Sequence, residues 1–303
     1  MRGDETSFCY AIHALSLGKR RAIQAVHAFA RHAEGIAREA SPLEERLRRL
    51  AAIEQALDGL PAGGSDPGML ALATARERFE LPPRPLLDIV EGARMDARGT
   101  TYATFDDLAA YCRRLAGAQG RLYMGILGSS DPASAAELGD QLGVASRLTK
   151  ILRDLRIDAE AGRVYIPAED LLRYHLHDGA ALDAEGLAAL ARVGSVAERS
   201  VIAGFDGGDV GQLYALMRFQ VFRAKDWLHR GLSVLPLLDR RGAYCVQGMS
   251  GLQRRLLDHI QERPDRALAQ PLSLSPWERA WVTTRRGLGR RRVPERHPAE
   301  IMR

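Results

Sequence analysis

The chain has 303 residues, of which 46% are hydrophobic and 27% are charged, so it can bury a sizeable core in one large domain or two ordinary ones. No window approaches the roughly 18 uninterrupted apolar residues of a membrane span, and the N-terminus MRGDETSFCY lacks the apolar region of a secretory signal. We therefore expect a cytoplasmic protein without a transmembrane helix.

The distribution of charge indicates possible partners, and the cysteines indicate the redox compartment. The formal net charge is +5, and much of the excess lies in a basic tail that contains Arg285, Arg286, Arg290, Arg291, Arg292 and Arg296. Such a tail favours a solvated segment or peripheral membrane contact over a nucleic-acid partner. The cysteines are three in number and far apart, which predicts buried thiols in a reducing compartment: Cys9, Cys112 and Cys245.

Apolar residues recur at spacings of three and four along most of the chain, which is typical of amphipathic helices. The predicted helices cover residues 6–39, 42–59, 68–79, 83–98, 104–127, 132–157, 185–203, 209–231, 241–262 and 275–288. Alternating β-branched patterns are scarce, and the breaks between segments are short clusters of Pro, Gly and Asp. We therefore predict an all-α, single-domain helical bundle over residues 1–290, followed by a disordered basic tail over residues 291–303.

Two predicted helices are apolar on more than one face, over Leu122–Leu127 and Leu148–Leu152. Helices of this kind belong in the centre of a bundle. A bundle of ten helices can enclose an elongated apolar cavity, and bundle proteins build ligand and metal sites in such places. Apolar residues on the C-terminal helices would also allow a homodimer.

One pair of acids stands out within residues 142–170. Asp154 and Asp158 are four residues apart, so on a helix their carboxylates share a face and can bind one hard cation. Mg²⁺ takes oxygen ligands and often completes its shell with substrate phosphates. The spacing alone is weak support, since most such pairs are solvated.

Three segments in order resemble the squalene/phytoene synthase family. LTKILRD, then Asp158 and GRVYIPAEDL, is similar to that family's second aspartate-rich motif, and DLAAYCRRLAGAQG over residues 107–120 is similar to an upstream helix. SFCYAIHALSLGKRRAIQAVHAFAR over residues 7–31 resembles its first two helices. The resemblance, which runs to about residue 280, implies an isoprenoid-synthase-type bundle with a central apolar cavity and a prenyl-transfer enzyme.

In that family two acidic motifs hold Mg²⁺ on an allylic diphosphate, and a π system attacks the allylic cation that remains. The resemblance implies that Asp154 and Asp158 are metal ligands, that Arg31 and Arg153 bind phosphate oxygens, and that Tyr111 donates a hydrogen bond near the leaving group. The alternatives are that the two arginines only pair with nearby carboxylates and that the tyrosine belongs to the core. Two further residues of the second motif are expected to be structural: Tyr165 and Glu169.

The first acidic motif departs from the family's D-D-x-x-D pattern. Glu34 keeps an oxygen ligand at the first position, and we expect it to be a third metal ligand, but the last acid is Arg38. A guanidinium cannot bind Mg²⁺, although it can bind a phosphate through two hydrogen bonds. Before the second motif, Arg147 and Lys150 stand where the family commonly has Gln and Asn. We therefore expect all three cations to contact the diphosphate, or a metal site to have been lost.

Near the C-terminus, Gln253 and Pro271 replace a tyrosine and a basic residue that in the family help to hold the second prenyl diphosphate. These changes favour transfer of an allylic group, such as dimethylallyl, to an aromatic acceptor resembling indole or carbazole, as in phytoene synthase-like aromatic prenyltransferases of secondary metabolism. Head-to-head condensation of two prenyl diphosphates and a non-catalytic relative that binds prenyl diphosphate remain as alternatives. The conceivable proton acceptors for the aromatic reaction are His13, His27 and Glu34.

Overall fold

The structure is a computed structural model that describes residues 12–58, 66–176, 183–194 and 207–269, together with residues 272, 274, 275 and 278. Over these residues the chain is mainly helical, and extended backbone pairs only in a single antiparallel bridge between Ser129 and Leu238. The all-α prediction is confirmed. In the same part of the chain no helix has both the length and the apolar character required to cross a membrane.

The helices of the N-terminal half are α1 (Leu17–Arg38), α2 (Leu43–Asp58), α3 (Pro67–Phe79), α4 (Arg84–Arg98), α5 (Phe105–Cys112) and α6 (Ala118–Leu127). A π-helical segment, Arg113–Gly117, joins α5 to α6 without a loop. The helices of the C-terminal half are α7 (Pro132–Arg153), α8 (Leu155–Glu160), α9 (Ala168–Arg173), α10 (Ala184–Gly194), α11 (Gly207–Gly231), α12 (Arg240–Glu262) and α13 (Pro264–Ala269). A 3₁₀ segment, Leu232–Leu237, follows α11.

Most predicted helices agree with the structure to within a few residues, and two are interrupted. The segment predicted over residues 6–39 is not helical over residues 13–16, and its long helix begins at Leu17. The segment predicted over residues 132–157 divides at Asp154, whose backbone angles (φ −100°, ψ 9°) are not those of a regular helix. Its carbonyl still accepts from the backbone N–H of Asp158 at 2.8 Å, so one turn continues across the break. The sequence did not predict α9, α13 or the 3₁₀ segment.

Parts of the predictions lie outside the described residues. These parts are residues 6–11, residues 195–203, most of the predicted helix over residues 275–288, and the basic tail over residues 291–303. The single domain over residues 1–290 and the disordered tail therefore stay predictions. The central apolar cavity stays a prediction as well.

The starts of the helices follow from local sequence. At α5, the Thr104 hydroxyl accepts from the backbone N–H of Asp107, and the Asp107 carboxylate accepts from the N–H of Thr104 at 2.9 Å, which forms a capping box. At α7, the Asp131 carboxylate accepts from the N–H of Ser134 at 3.1 Å, and a proline follows at the first helical position. At the end of α4, Gly99 adopts a positive φ of 66°, a conformation that favours glycine.

The central helix of the bundle is α7, which packs extensively against α11 and α6. Leu148 and Leu152 of α7 are buried, and so are Leu122 and Leu127 of α6. The prediction that these two segments lie inside the bundle is confirmed. The position of α7 matters for function because three of the predicted site residues belong to it.

Helix α7 approaches α6 and the preceding π-helical segment so closely that glycines line the contact. A Cβ added at Gly139 would lie 2.7 Å from the carbonyl oxygen of Gly120, and one added at Gly143 would collide with the carbonyl oxygen of Ala116. Backbone atoms cannot move aside as a flexible side chain can. The crossing therefore requires residues without a side chain, and it fixes the position of α7.

We expect Gly143→Ala to lower the free energy of unfolding by about 1–3 kcal/mol or more, because its methyl group would meet the backbone of the π-helical segment at Ala116. Gly211→Ala on α11 is the matched control, since a Cβ there meets nothing within 4 Å. This control should be neutral or should stabilise the helix by about 0.5–1 kcal/mol. Urea unfolding measures both changes, and equal stabilities would refute the close crossing.

Two of the three cysteines are described. Cys112 and Cys245 are buried free thiols, as predicted, and burial raises the pKa of each to about 12. Cys9 lies outside the described residues. The thiolate is the reactive form of cysteine, so burial and a raised pKa both disfavour reaction at these two thiols.

Candidate active site

One face of α1 carries three of the predicted site residues. Arg31, Glu34 and Arg38 follow one another at spacings of three and four, so their side chains emerge on the same side of the helix. Glu34 is buried, whereas the two arginines are half-buried. Arg31 makes no hydrogen bond or ion pair with any residue that the structure describes.

The central helix α7 carries a second row of charged side chains. Arg147, Lys150 and Asp154 also follow at spacings of three and four, and Asp158 continues the row into α8. Arg147 is 3% exposed, whereas the Lys150 side chain is 22% exposed. The buried arginine therefore lies deep in the site, and the lysine lies nearer to solvent.

Arg147 is the centre of a buried ionic cluster. Its Nη1 lies 3.3 Å from Glu34 Oε1, its Nη2 lies 3.0 Å from Asp96 Oδ2, and Nη2 also contacts the Tyr111 hydroxyl. Burial opposes the charge on the guanidinium, but Tyr111, Asp96 and Glu34 raise its pKa well above the ordinary value. Arg147 therefore connects α1, α4 and α5 to the central helix.

Asp96 of α4 belongs to this cluster and was missed from the sequence. Its Oδ1 accepts from the Tyr111 hydroxyl at 2.6 Å and from the Tyr165 hydroxyl at 2.7 Å, and its Oδ2 accepts from Arg147. One sequence signal could have found it, because Asp96 follows Ile89 and Ala93 on the apolar face of α4. A carboxylate on a buried face requires an internal partner.

Arg38 and Lys150 complete the cluster on its more exposed side. Arg38 Nη1 lies 3.0 Å from Asp158 Oδ1, and its Nη2 donates to the Tyr165 hydroxyl at 3.1 Å. Lys150 Nζ lies 2.7 Å from Glu34 Oε2. The structure thus brings together six of the predicted residues, which are Glu34, Arg38, Tyr111, Arg147, Lys150 and Asp158.

The pKa shifts in the cluster reflect burial opposed by charge. Burial alone would raise the pKa of Glu34, but Lys150 and Arg147 outweigh it and hold that pKa far below its usual range. Burial lowers the pKa of Lys150, and Glu34 offsets only part of this effect. Burial raises the pKa of Asp158, with Arg38 opposing the shift and Asp154 adding to it.

Two predicted contacts with the diphosphate have protein partners instead. Arg153 binds the neighbouring Asp154 through two hydrogen bonds of 2.8 Å, from Nε and Nη2. The Tyr111 hydroxyl is fully buried and donates to Asp96, so it is not free to donate to a leaving group. These contacts fit the alternatives of a local ion pair and a core tyrosine, but Arg38 and Lys150 also pair with acids of the chain, so the diphosphate-binding roles all stay predictions.

Aromatic rings enclose the cluster on one side. The ring centroids of Tyr111 and Tyr165 lie 5.6 Å apart, and Tyr102 lies 5.4 Å from Tyr111. The Arg147 guanidinium carbon lies 5.0 Å from the centroid of the Tyr111 ring, which is a cation–π distance. Tyr165, which we expected to be structural, thus also contributes its hydroxyl to the ionic cluster.

The remaining residues singled out from the sequence lie apart from these contacts or outside the described residues. Glu169 accepts from the backbone N–H of Phe105 at 2.8 Å and caps α5, which fits its expected structural role. His27 Nδ1 lies 3.4 Å from the Tyr123 hydroxyl, and His13 is exposed. Gln253 is half-buried, and Pro271 lies outside the described residues.

The acids of the site are the candidate ligands for a divalent metal ion. Asp154 and Asp158 lie on consecutive turns and repel each other, and two carboxylates together with substrate phosphates suffice for Mg²⁺. All three acids pair with cations of the chain: both Glu34 oxygens accept from Arg147 and Lys150, both Asp154 oxygens accept from Arg153, and Asp158 accepts from Arg38. In the described part of the chain no three His, Cys, Asp or Glu residues are grouped to hold a metal ion. The metal-ligand roles of Glu34, Asp154 and Asp158 therefore stay predictions.

An all-helical bundle with acidic and basic side chains meeting between α1 and α7 defines an isoprenoid-synthase-type fold. A dehydrosqualene synthase crystal structure matches with a TM-score of 0.74 at 23% identity, over 92% of this chain and 90% of that chain. The squalene synthase HpnC of Alicyclobacillus acidocaldarius matches with a TM-score of 0.69 at 26% identity, over 88% and 90%. The fold class is confirmed.

The sequence comparisons give the family. The squalene/phytoene synthase family model matches residues 1–278, and this chain belongs to that family. The phytoene synthase of Mycobacterium tuberculosis is 36% identical over 280 residues, which cover 91% of this chain and 84% of the relative. That of Arthrospira platensis is 27% identical over 90% and 85%. The family consists of prenyltransferases that bind prenyl diphosphates and generally use divalent metal ions, and this chain is a prenyltransferase.

Proposed function

We propose that this protein joins two prenyl diphosphates head to head and forms a hydrocarbon of the squalene or phytoene type. The observation that carries the proposal is the 36% identity to a phytoene synthase over 91% of the chain. The fold supports it, since the dehydrosqualene and squalene synthase structures match over about nine-tenths of this chain. The acceptor in this reaction is a second prenyl diphosphate.

The comparisons favour this alternative over the aromatic acceptor that the sequence led us to prefer. That preference depended on the altered first motif and on the changes at Gln253 and Pro271. The relatives named above are phytoene synthases, and they lend no support to an indole-like acceptor or to a role in secondary metabolism. Membership in a family of prenyltransferases also argues against a non-catalytic relative.

The residues of the cluster have separable roles in this proposal. Asp154 and Asp158 hold the metal ion, which would neutralise charge on the departing diphosphate. Arg31, Arg38 and Lys150 contact the phosphate oxygens directly. Arg147 and Asp96, both buried, hold the two rows of side chains at a fixed separation. Packing of the donor's hydrocarbon tail among apolar side chains keeps water away from the allylic cation.

Incubation with farnesyl or geranylgeranyl diphosphate and Mg²⁺, with and without NADPH, tests the proposal. A phytoene-type product forms by loss of two pyrophosphates and a proton, whereas a squalene-type product also needs a hydride from NADPH. We expect a hydrocarbon with twice the carbon number of the substrate, detected by gas chromatography with mass spectrometry, together with release of pyrophosphate. Parallel reactions contain dimethylallyl or geranyl diphosphate with indole or carbazole. The boiled protein is the control for spontaneous solvolysis.

Each outcome of these reactions decides between the functions. A doubled hydrocarbon from a single substrate supports head-to-head condensation. Product that forms only when an aromatic acceptor is present would overturn it in favour of our original preference. Release of pyrophosphate without any carbon–carbon bond would overturn it as well, because the protein would then be a diphosphate hydrolase.

A further inference from the structure

The candidate active site holds more positive than negative charge. Its cations are Arg31, Arg38, Arg147, Lys150 and Arg153, and its acids are Glu34, Asp96, Asp154 and Asp158. Each divalent ion adds two positive charges, which carboxylates of the site or phosphates of the substrate must offset. Here the formal excess is one positive charge, so additional metal ions would be repelled and an anion would be attracted.

We propose that Arg38 and Lys150 bind the diphosphate directly and take the place of metal ions on the α1 side of the site. A divalent ion is then required only at Asp154 and Asp158. This inference rests on the proposed function and names how its substrate is held. It predicts that the site recognises a diphosphate group even when no metal ion is present.

Solvent exposure distinguishes Arg38 and Lys150 from Arg147. The Arg38 and Lys150 side chains are 26% and 22% exposed, whereas the Arg147 side chain is 2% exposed. An incoming diphosphate can therefore reach the first two without unfolding the cluster. The buried Arg147 instead holds Glu34 and Asp96 in place beneath them.

The hydrogen bonds of the site leave donors for an anion. The Nε of Arg38 has no hydrogen-bond partner among the described residues, since the nearest acid, Asp96, lies 3.8 Å away. This atom is shielded from solvent, so it can donate to an anion only when the side chain turns outward. Arg31, on the same face of α1, is half-buried and unpaired within that part of the chain. Guanidinium groups suit phosphate oxygens because they donate two parallel hydrogen bonds.

The surroundings of Lys150 also favour the binding of an anion such as diphosphate. In the substrate-free protein its Nζ pairs with Glu34, while Arg147 and Arg38 lie close enough to lower its pKa together with burial. A diphosphate offers several charged oxygens where the protein offers one carboxylate. We therefore expect the ammonium group to contact the diphosphate while Glu34 keeps its bond to Arg147.

Calorimetric titration of the full chain with inorganic pyrophosphate in excess EDTA tests the proposal. We expect saturable binding to one site, weakened about tenfold or more in Arg38→Gln and in Lys150→Gln. Lys225→Gln is the matched control, because it removes the same charge from an ion pair with Asp258 between α11 and α12. This control should bind pyrophosphate as the unchanged protein does, and melting curves establish that all variants are folded.

A count of bound Mn²⁺ gives an independent result. With pyrophosphate present, paramagnetic resonance should show one Mn²⁺ per chain, and Arg38→Asp should raise the count by adding a carboxylate. Absence of metal-free binding, or two or more ions on the unchanged protein, would overturn the proposal. Either of these two results could be found in a protein that still forms the hydrocarbon, so they test this inference separately. Metal-free binding of pyrophosphate without hydrocarbon formation would instead refute only the proposed function.

Discussion

Arg147→Met should lower the free energy of unfolding by about 3–5 kcal/mol, one of the largest effects of any single substitution in this protein. The methionine would leave Glu34 and Asp96 as buried carboxylates without their shared cation. A buried ion pair adds little net stability by itself, but loss of one member leaves an uncompensated charge. Thermal unfolding should shift downward by about 10 °C.

Arg48→Met is the control for this loss of charge. Arg48 pairs with Glu45 on the surface of α2, and its side chain is 72% exposed, so its removal should cost about 1 kcal/mol or less. Adding Asp96→Asn to Arg147→Met should restore part of the lost stability, because one unpaired charge is removed with it. Equal stabilities for Arg147→Met and Arg48→Met would mean that the buried cluster is not formed.

Asp154→Asn should reduce the rate of hydrocarbon formation by about 100-fold to 1,000-fold. The proposed metal ion would lose one of its two protein carboxylates, and a metal ligand contributes several kcal/mol to charge stabilisation in the transition state. The fold should persist, because Asp154 lies at the junction between α7 and α8 and is 15% exposed. Steady-state kinetics and circular dichroism measure the two effects separately.

Glu160→Gln provides the matched control for the rate. Glu160 lies at the end of α8 and pairs with Arg156 and Arg192 near the surface, so it has no role in the proposed chemistry. The control should keep its full rate. If Asp154→Asn also kept it, the assignment of a metal ion to this pair of acids would be wrong.

Much of the fold was predictable because it depends on local patterns. The spacing of apolar residues predicted most of the helices. Segments that are apolar on more than one face, such as Leu148–Leu152, indicated the centre of the bundle. The break at Asp154 was not predictable, because the sequence on either side of it has the same helical period. The glycine contact between α6 and α7 depends on how two helices cross, which no single segment determines.

The site was predictable in its residue types but not in its pairings. The family resemblance pointed to Glu34, Arg38 and Lys150, all of which the structure places in one cluster. Asp96 was missed because it lies in none of the quoted motifs, although it accepts hydrogen bonds from three other members of the cluster. Which cation neutralises which acid depends on distances between helices, and spacing along the chain does not give these.

The ion pairs around Arg147 have a consequence for the protein before substrate arrives. Each acid of the cluster already has a counter-charge supplied by the chain, so the scaffold does not depend on dissolved cations to hold its shape. Chelators should thus leave a folded, resting enzyme. In such a protein a divalent metal ion would be needed for turnover, whereas the fold would be stable without it.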